Sequence, residues 1–206
     1  MPLCEDLDAF AAAAATFTQL ATASVEAWDR PSVLAGYRIS DLVGHVVIGT
    51  FAWSATVTGS AGSPVADPAE WYLDGRPELH AAVHAQAAAL AERGPEHVLS
   101  RLAVQADRAE SNLRGLADAD AVVALSPVSA AAATVGDFVR TRVVELVVHT
   151  DDLAVSLGRA TNLPAHSVAV AVDALVGMAI RRSGDVEVLR VLTRRERAAQ
   201  GVLPVL

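Results

Sequence analysis

The chain has 206 residues, 52% of them hydrophobic and only 4% aromatic, enough for one sizeable core built mainly from small aliphatic side chains. Its formal net charge is −8, all 16 basic residues are Arg, and no clustered basic stripe occurs; nucleic acid is therefore not an expected partner, because phosphate neutralisation supplies most of that affinity. The single cysteine, Cys4, excludes an internal disulfide framework and a cysteine-rich zinc site, and no apolar run reaches the ~20 residues that span a bilayer, so no membrane partner is expected.

The first element is a helix over residues 3–28, with Leu7, Phe10, Ala14, Phe17 and Ala21 spaced by three and four along one apolar stripe. Its start carries Glu5, Asp6 and Asp8 rather than the basic run of a signal peptide, and a cytoplasmic protein is the expectation. Asp29, Arg30 and Pro31 end this helix, and residues 31–39 form a connection that turns at Gly36. Ser40 reads as the N-cap of a second helix over 41–58, with Asp41 near its positive end. Residues 59–77 hold three prolines and three glycines and read as a long loop in which Trp71 and Tyr72 serve as lid or anchor.

A third helical run begins at Pro77, breaks at Gly94 and Pro95, and resumes to Leu116, with Leu99, Leu102, Ala106, Ala109, Leu113 and Leu116 on one stripe. Residues 117–133 read as connection. Thr134 caps a helix over 135–157 that Gly158 closes. Asn162 to Pro164 opens another helix to Arg182, Gly184 interrupts it, and a short run covers 186–199. The Arg-rich stretch from Arg181 to Arg197 is interleaved with acids and reads as a solvated face. No segment alternates long enough to predict a strand before the last few residues, and no glycine-rich phosphate loop occurs. The fold class is all-α.

The helix over 135–157 carries the chemistry. Between Arg140 and Ala154 it is mostly Val and Leu, the mark of a buried helix, except for Arg142, Glu145, His149 and Asp152. Their spacing of three, four and three puts them on one face. Burying unpartnered charge costs several kcal/mol per ion, so something must satisfy this seam. One solution is an ion-pair network, Arg142 with Glu145 and His149 with Asp152. The other is a metal held by Glu145 and His149 on neighbouring turns, an oxygen and nitrogen pair suited to Zn²⁺ or a similar first-row ion. Spacing alone leaves both open. On the second helix His45 stands among Leu42, Val43, Val46 and Val47, and Gly49 leaves space beside it. His45 would complete a three-ligand set with an open fourth position, the pattern of a catalytic site. His80 and His84 are also four apart, but no acid lies between them, and they read as rim residues; His97 and His166 read as exposed helix starts.

Two segments together resemble a known family. Residues 34–45, with Gly36, Tyr37, Ser40, Asp41, Leu42 and His45, are similar to the Pro-Gly-Trp-(Thr/Ser)-x-x-Asp-Leu-x-x-His opening of mycothiol-dependent maleylpyruvate isomerase N-terminal domains. Arg142, Glu145, His149 and Asp152 resemble that family's Arg-x-x-Glu-x-x-x-His-x-x-Asp segment. The resemblance implies a DinB-like metal-binding four-helix bundle over residues 1–160, with residues 161–206 a short helical extension rather than a further full domain. It also implies a zinc-type ion (Ni²⁺ or another first-row ion being alternatives) on His45, Glu145 and His149, and mycothiol as cosubstrate. Arg142 would then stabilise Glu145 or an anionic substrate group, and Asp152 would orient His149. Tyr37 replaces the family's usual Trp, and the residues after Leu163 are fewer than the isomerase's C-terminal domain contains.

The leading expectation is therefore a metal-dependent, mycothiol-using transferase or isomerase acting on an electrophilic small molecule, with a homodimer as a possible assembly. A non-catalytic metal-binding bundle, such as a sensor or accessory protein, is the alternative. A structural bundle with a buried ion-pair network is the third reading.

Overall fold

The computed structural model describes residues 3–59, 77–116, 118, 120–124, 132–194 and 196. In chain order the elements are α1 (Leu3–Thr22), a 3₁₀ turn (Val25–Ala27), α2 (Ile39–Val46) running directly into a π-helical turn (Val47–Ala52), α3 (Pro77–Ala91), α4 (Pro95–Gly115), β1 (Val122–Ala124), β2 (Ala132–Thr134), α5 (Val135–Ser156), α6 (Ala165–Ser183) and α7 (Asp185–Thr193). Trp71 and Tyr72, assigned to a lid or anchor, lie outside the described residues.

The bundle is built from α1, α2 with its π turn, α4 and α5. Helix α1 packs on α5 and α4, α2 lies against α3 and α5, and α4 covers the π turn. Phe10, Phe17 and Phe51 meet at the centre, with Phe51 6.3 Å from each of the other two ring centroids. Leu42, Leu102, Leu113, Leu146 and Leu153 fill the surrounding layers without solvent exposure. Helix α6 joins this core through Val170 and Ala171, and the Ser167 hydroxyl donates to the Ala9 carbonyl at 2.8 Å. Helix α7 packs on α6, where Val188 and Ala179 form a small separate cluster. Among the described residues no helix is long and apolar enough to cross a membrane.

Several ends follow the sequence. The Thr134 hydroxyl accepts from the Asp137 amide at 3.1 Å and caps α5, and Gly158 leaves the helix with φ of 67°. Gly94 separates α3 from α4 with φ of 85°, a conformation open to glycine, and Pro95 then starts α4.

Other expectations need correction. Helix α1 ends at Thr22 rather than at residue 28, because Thr22 and Ser24 hydroxyls turn back onto the carbonyls of Thr18 and Ala21 and compete with helix continuation. Ser40 is not the cap of α2. The helix starts at Ile39, and the Asp41 carboxylate accepts from the Arg38 amide at 3.0 Å while gripping the Arg38 guanidinium. The second helix is not α-helical throughout, since its register widens to a π turn at Val47–Ala52. Its end is fixed by Asn112, whose amide donates to the carbonyls of Ser54 and Val57 at 2.9 and 2.8 Å. The predicted 117–133 connection contains strands: β1 and β2 pair antiparallel, Val122 opposite Thr134 and Ala124 opposite Ala132. Three-residue strands are too short to show period-two alternation, which is why the sequence pattern missed them. The last helix stops at Thr193, short of residue 199.

The contact that brings α3 over α2 depends on a missing side chain. A Cβ on Gly44 would lie 2.7 Å from the Ala87 carbonyl oxygen, a backbone atom that cannot swing aside. Gly44→Ala should therefore cost about 1–3 kcal/mol of stability, the usual range for overpacking. Gly177, helical with nothing within 4 Å of its Cβ position, should gain about 0.5–1 kcal/mol from the same change. Urea denaturation of the two variants checks this, and equal midpoints would contradict the close approach of α2 and α3.

Candidate metal centre

Helix α5 is buried along most of its length; within its polar seam Arg142 is buried, and Glu145, His149 and Asp152 are partly buried. The structure brings Glu145 and His149 of that seam together with His45 of α2. One ligand-capable atom from each lies within 4.8 Å of the others, the only such group of three among the described residues. The His45 and His149 ring centroids are 4.9 Å apart with their planes at 81°. The Glu145 and His149 side chains retain 20% and 12% of their exposure, so the cluster sits just below the surface and is reachable from it.

Hydrogen bonding aims His149. His149 Nδ1 lies 3.0 Å from Asp152 Oδ2, which turns Nε2 toward Glu145 Oε2 at 3.3 Å. A tetrahedron with metal–ligand bonds of about 2.0–2.1 Å has edges of about 3.3 Å. The Glu145–His149 pair thus already stands at the spacing of two ligands. His45 Nδ1 is buried with no hydrogen-bond partner, an unspent polar atom. Two imidazoles and one carboxylate form a donor set suited to a borderline divalent ion such as zinc.

The two histidines are driven apart in basicity. Burial, reinforced by the neighbouring His149 ring, pushes the His45 pKa down to about 4. Burial opposes the charge on His149 as well, but hydrogen bonds and attraction from Asp152 and Glu145 prevail and lift it to about 9. Without metal, the protonated form of His149 is favoured between its two carboxylate neighbours, while His45 stays neutral with a lone pair available.

Other residues shape the surroundings. The Tyr37 ring meets His45 edge-on at 5.7 Å, and His84 stacks on Tyr37 at 4.2 Å. A Cβ on Gly49 would make ordinary contact with His45 at 3.9 Å, so this glycine leaves room beside the imidazole as its position suggested. Arg142 is buried, 2% exposed, and donates to the Gly49 carbonyl at 2.9 Å and the Thr141 hydroxyl at 3.1 Å. Its guanidinium lies 4.8 Å from the Trp53 ring centroid and 5.4 Å from that of Phe138. His80 is exposed, and the exposed His166 contacts the Glu5 carbonyl. The ion-pair alternative is realised at His149 and Asp152, whose contact is compatible with either answer to the buried seam. Sequence reasoning missed the Tyr37–His84 stack and the aromatic pocket around Arg142. The stack had a signal in Tyr37, which occupies a family aromatic position, whereas the pocket joins residues too distant in the chain to pair by pattern.

Comparison with known proteins gives a consistent result. The family model for the mycothiol maleylpyruvate isomerase N-terminal domain matches residues 8–154. The chain belongs to this family. Among solved structures it is similar to the mycothiol-dependent maleylpyruvate isomerase, at 17% identity and a TM-score of 0.60, over 87% of this chain and 70% of that one. A histidine-to-alanine mutant of that isomerase matches at 16% identity and a TM-score of 0.61, with the same coverage of 87% and 70%. At these identities the likeness shows the shared fold. The search of curated proteins returns no match.

The split in basicity is measurable in metal-free protein. Imidazole NMR titration should place His45 near pH 4 and His149 near pH 9, and Asp152→Asn should move the His149 midpoint down while leaving His45 low. A common midpoint for the two rings, or no response to Asp152→Asn, would contradict the hydrogen-bond geometry.

Proposed function

We propose that this chain is a metal-dependent enzyme that uses mycothiol to act on an electrophilic small molecule, as a thiol transferase or an isomerase. The observation that carries the reading is the convergence of His45, Glu145 and His149, from two helices, into one half-buried cluster. Family membership supports the thiol, since both the family description and the similar solved structures name mycothiol.

In this reading His45, Glu145 and His149 hold the ion and leave a further position facing the surface. A zinc-type ion there would supply a positive centre that lowers the pKa of a thiol at neutral pH. The protein supplies the rest. Asp152 accepts from His149 Nδ1, keeps Nε2 directed at the site and raises the ring's basicity as a ligand. His45 is neutral because it is buried, so it offers a lone pair at any pH above about 4. Glu145 contributes the single negative charge of the ligand set. The chemistry is addition of the thiol sulfur to an electrophilic carbon: the S–H proton passes to a base, the C–S bond forms and the carbon's π pair shifts into the adjoining acceptor group. If the carbon–carbon bond then rotates and the sulfur is expelled, the double bond re-forms and the outcome is isomerisation; if the sulfur is retained and another leaving group such as chloride departs, the product is an S-conjugate. The reading places the reaction in the cytoplasm, a reducing compartment where a thiol cosubstrate stays reduced.

Ligand variants test the metal assignment. His149→Ala and His45→Ala should weaken zinc binding by more than about a hundredfold, and Asp152→Asn by about 10–100-fold, the usual loss for a partner behind a ligand. His80→Ala should leave affinity unchanged. Because the ion must displace the His149 proton, affinity should rise about tenfold per pH unit below pH 9. Chelator competition between pH 6 and 9 reads all of these, and equal effects of His149→Ala and His80→Ala would overturn the ligand set.

The reaction is tested with mycothiol and two electrophiles, maleylpyruvate and a chlorodinitrobenzene. Turnover that requires both thiol and metal and is lost in His149→Ala is expected. A zinc-loaded protein that turns over neither would support the non-catalytic metal-binding reading instead.

A further inference from the structure

Two residues of the α5 polar seam lie outside the three-ligand cluster: Asp152, already paired with His149, and Arg142. Arg142 stands one turn before Glu145 and two turns before His149. On the opposite side, Gly49 stands four residues after His45, within the π-helical turn Val47–Ala52. The 2.9 Å hydrogen bond from the Arg142 guanidinium to the Gly49 carbonyl therefore ties the two ligand-bearing segments together, about a turn from the ligands on each side.

The guanidinium is held firmly enough to act as such a tie. Its Nε donates to the Thr141 hydroxyl at 3.1 Å, and that hydroxyl in turn donates to the Phe138 carbonyl at 2.7 Å. One flank of the group lies over Trp53 and another over Phe138, and those two rings meet edge-to-face at 5.7 Å. Trp53 immediately follows the π turn, while Phe138 belongs to α5, so the aromatic pocket also spans both segments. A planar, multiply donating guanidinium suits this arrangement, whereas an ammonium has neither the fork nor the flat face.

The π turn is what makes the tie consequential. A π turn departs from the regular i→i−4 ladder and re-aims the residues around it, and such turns recur at functional sites. Relaxation of this turn to α-helical register would rotate the chain beyond His45 and change how α2 lies on α5. We propose that Arg142 is a positioning residue: by clamping the Gly49 carbonyl and resting against both Trp53 and Phe138, it holds the π turn against α5 and so sets the distance from His45 to Glu145 and His149. This rests on the metal reading above, and it assigns Arg142 to the geometry of the site rather than to contact with substrate.

The test measures zinc affinity by chelator competition, the visible absorption of the cobalt-substituted protein, and amide hydrogen exchange in the metal-free protein. Arg142→Met should bind zinc at least about tenfold more weakly, comparable to losing a partner behind a ligand. It should also alter the cobalt bands, which report coordination geometry, and reduce exchange protection across residues 47–54. Arg142→Lys should recover only part of each property. Val188→Ala, a change in the separate cluster between α6 and α7, should lower stability while leaving the affinity and the cobalt spectrum as in the unmodified protein. A folded Arg142→Met with unchanged affinity and cobalt spectrum would overturn the proposal. If that variant does not fold, Trp53→Leu, which removes one stacking face, is judged by the same two outcomes. If the unmodified protein binds neither zinc nor cobalt, the metal reading fails. Exchange then decides the clamp alone, and unchanged protection of residues 47–54 in Arg142→Met or Trp53→Leu would reject it.

Discussion

A charged and polar seam runs along a helix that is otherwise made of Val and Leu, and the rest of the structure answers to it. Glu145, His149 and Asp152 cannot sit beside a hydrocarbon core without partners, because each isolated buried charge costs several kcal/mol. The fold resolves this by setting Asp152 at the far nitrogen of His149 and Glu145 at the near one, with a second, neutral imidazole, His45, opposite the pair. The cluster keeps slight exposure, so the seam is neither a fully buried salt bridge nor a surface one. In the metal-free protein the raised basicity of His149 favours a charged ring between Asp152 and Glu145, and a divalent ion would replace that charge with a stronger positive centre at the same place.

The surrounding packing brings the second helix close enough for this to work. Gly44 removes the one side chain that would hold α3 away from α2. The consequence is that Tyr37 and His84 stack beside His45, and one wall of the site is built from the segment preceding α2 and from α3. On the opposite side, the π turn and Arg142 link α2 to α5. The Ala- and Val-rich composition serves the same purpose, since small side chains allow helices to approach until polar atoms of different helices come within ligand-sharing distance.

Much of the cluster was legible in the sequence because it lies on helices with regular spacing. The three-four-three interval of Arg142, Glu145, His149 and Asp152 places them on one face whatever the tertiary structure, and the apolar neighbours of His45 mark its helix as buried. The cap at Thr134 and the breaks at Gly94 and Gly158 follow from single residues with strong local preferences. What was hidden depends on long-range contact. The π turn has no composition of its own, and its register depends on the partners packed against it. The Ser40 hydroxyl looked like a cap, but Asp41 reached the Arg38 amide first and moved the helix start back to Ile39. The pairing of β1 with β2 is set by their meeting in space, and three residues carry too short a pattern to announce it.

X-ray absorption at the metal edge of the zinc-loaded protein tests the central claim most directly, because it counts the ligand types around the ion itself. Outer-shell scattering from two imidazoles, together with light-atom bonds at about 2.0–2.1 Å, is the expected result. In His45→Ala the imidazole contribution should fall to one. A spectrum with one imidazole or none in the unmodified protein, or one that His45→Ala leaves unchanged, would contradict a centre built from His45, Glu145 and His149.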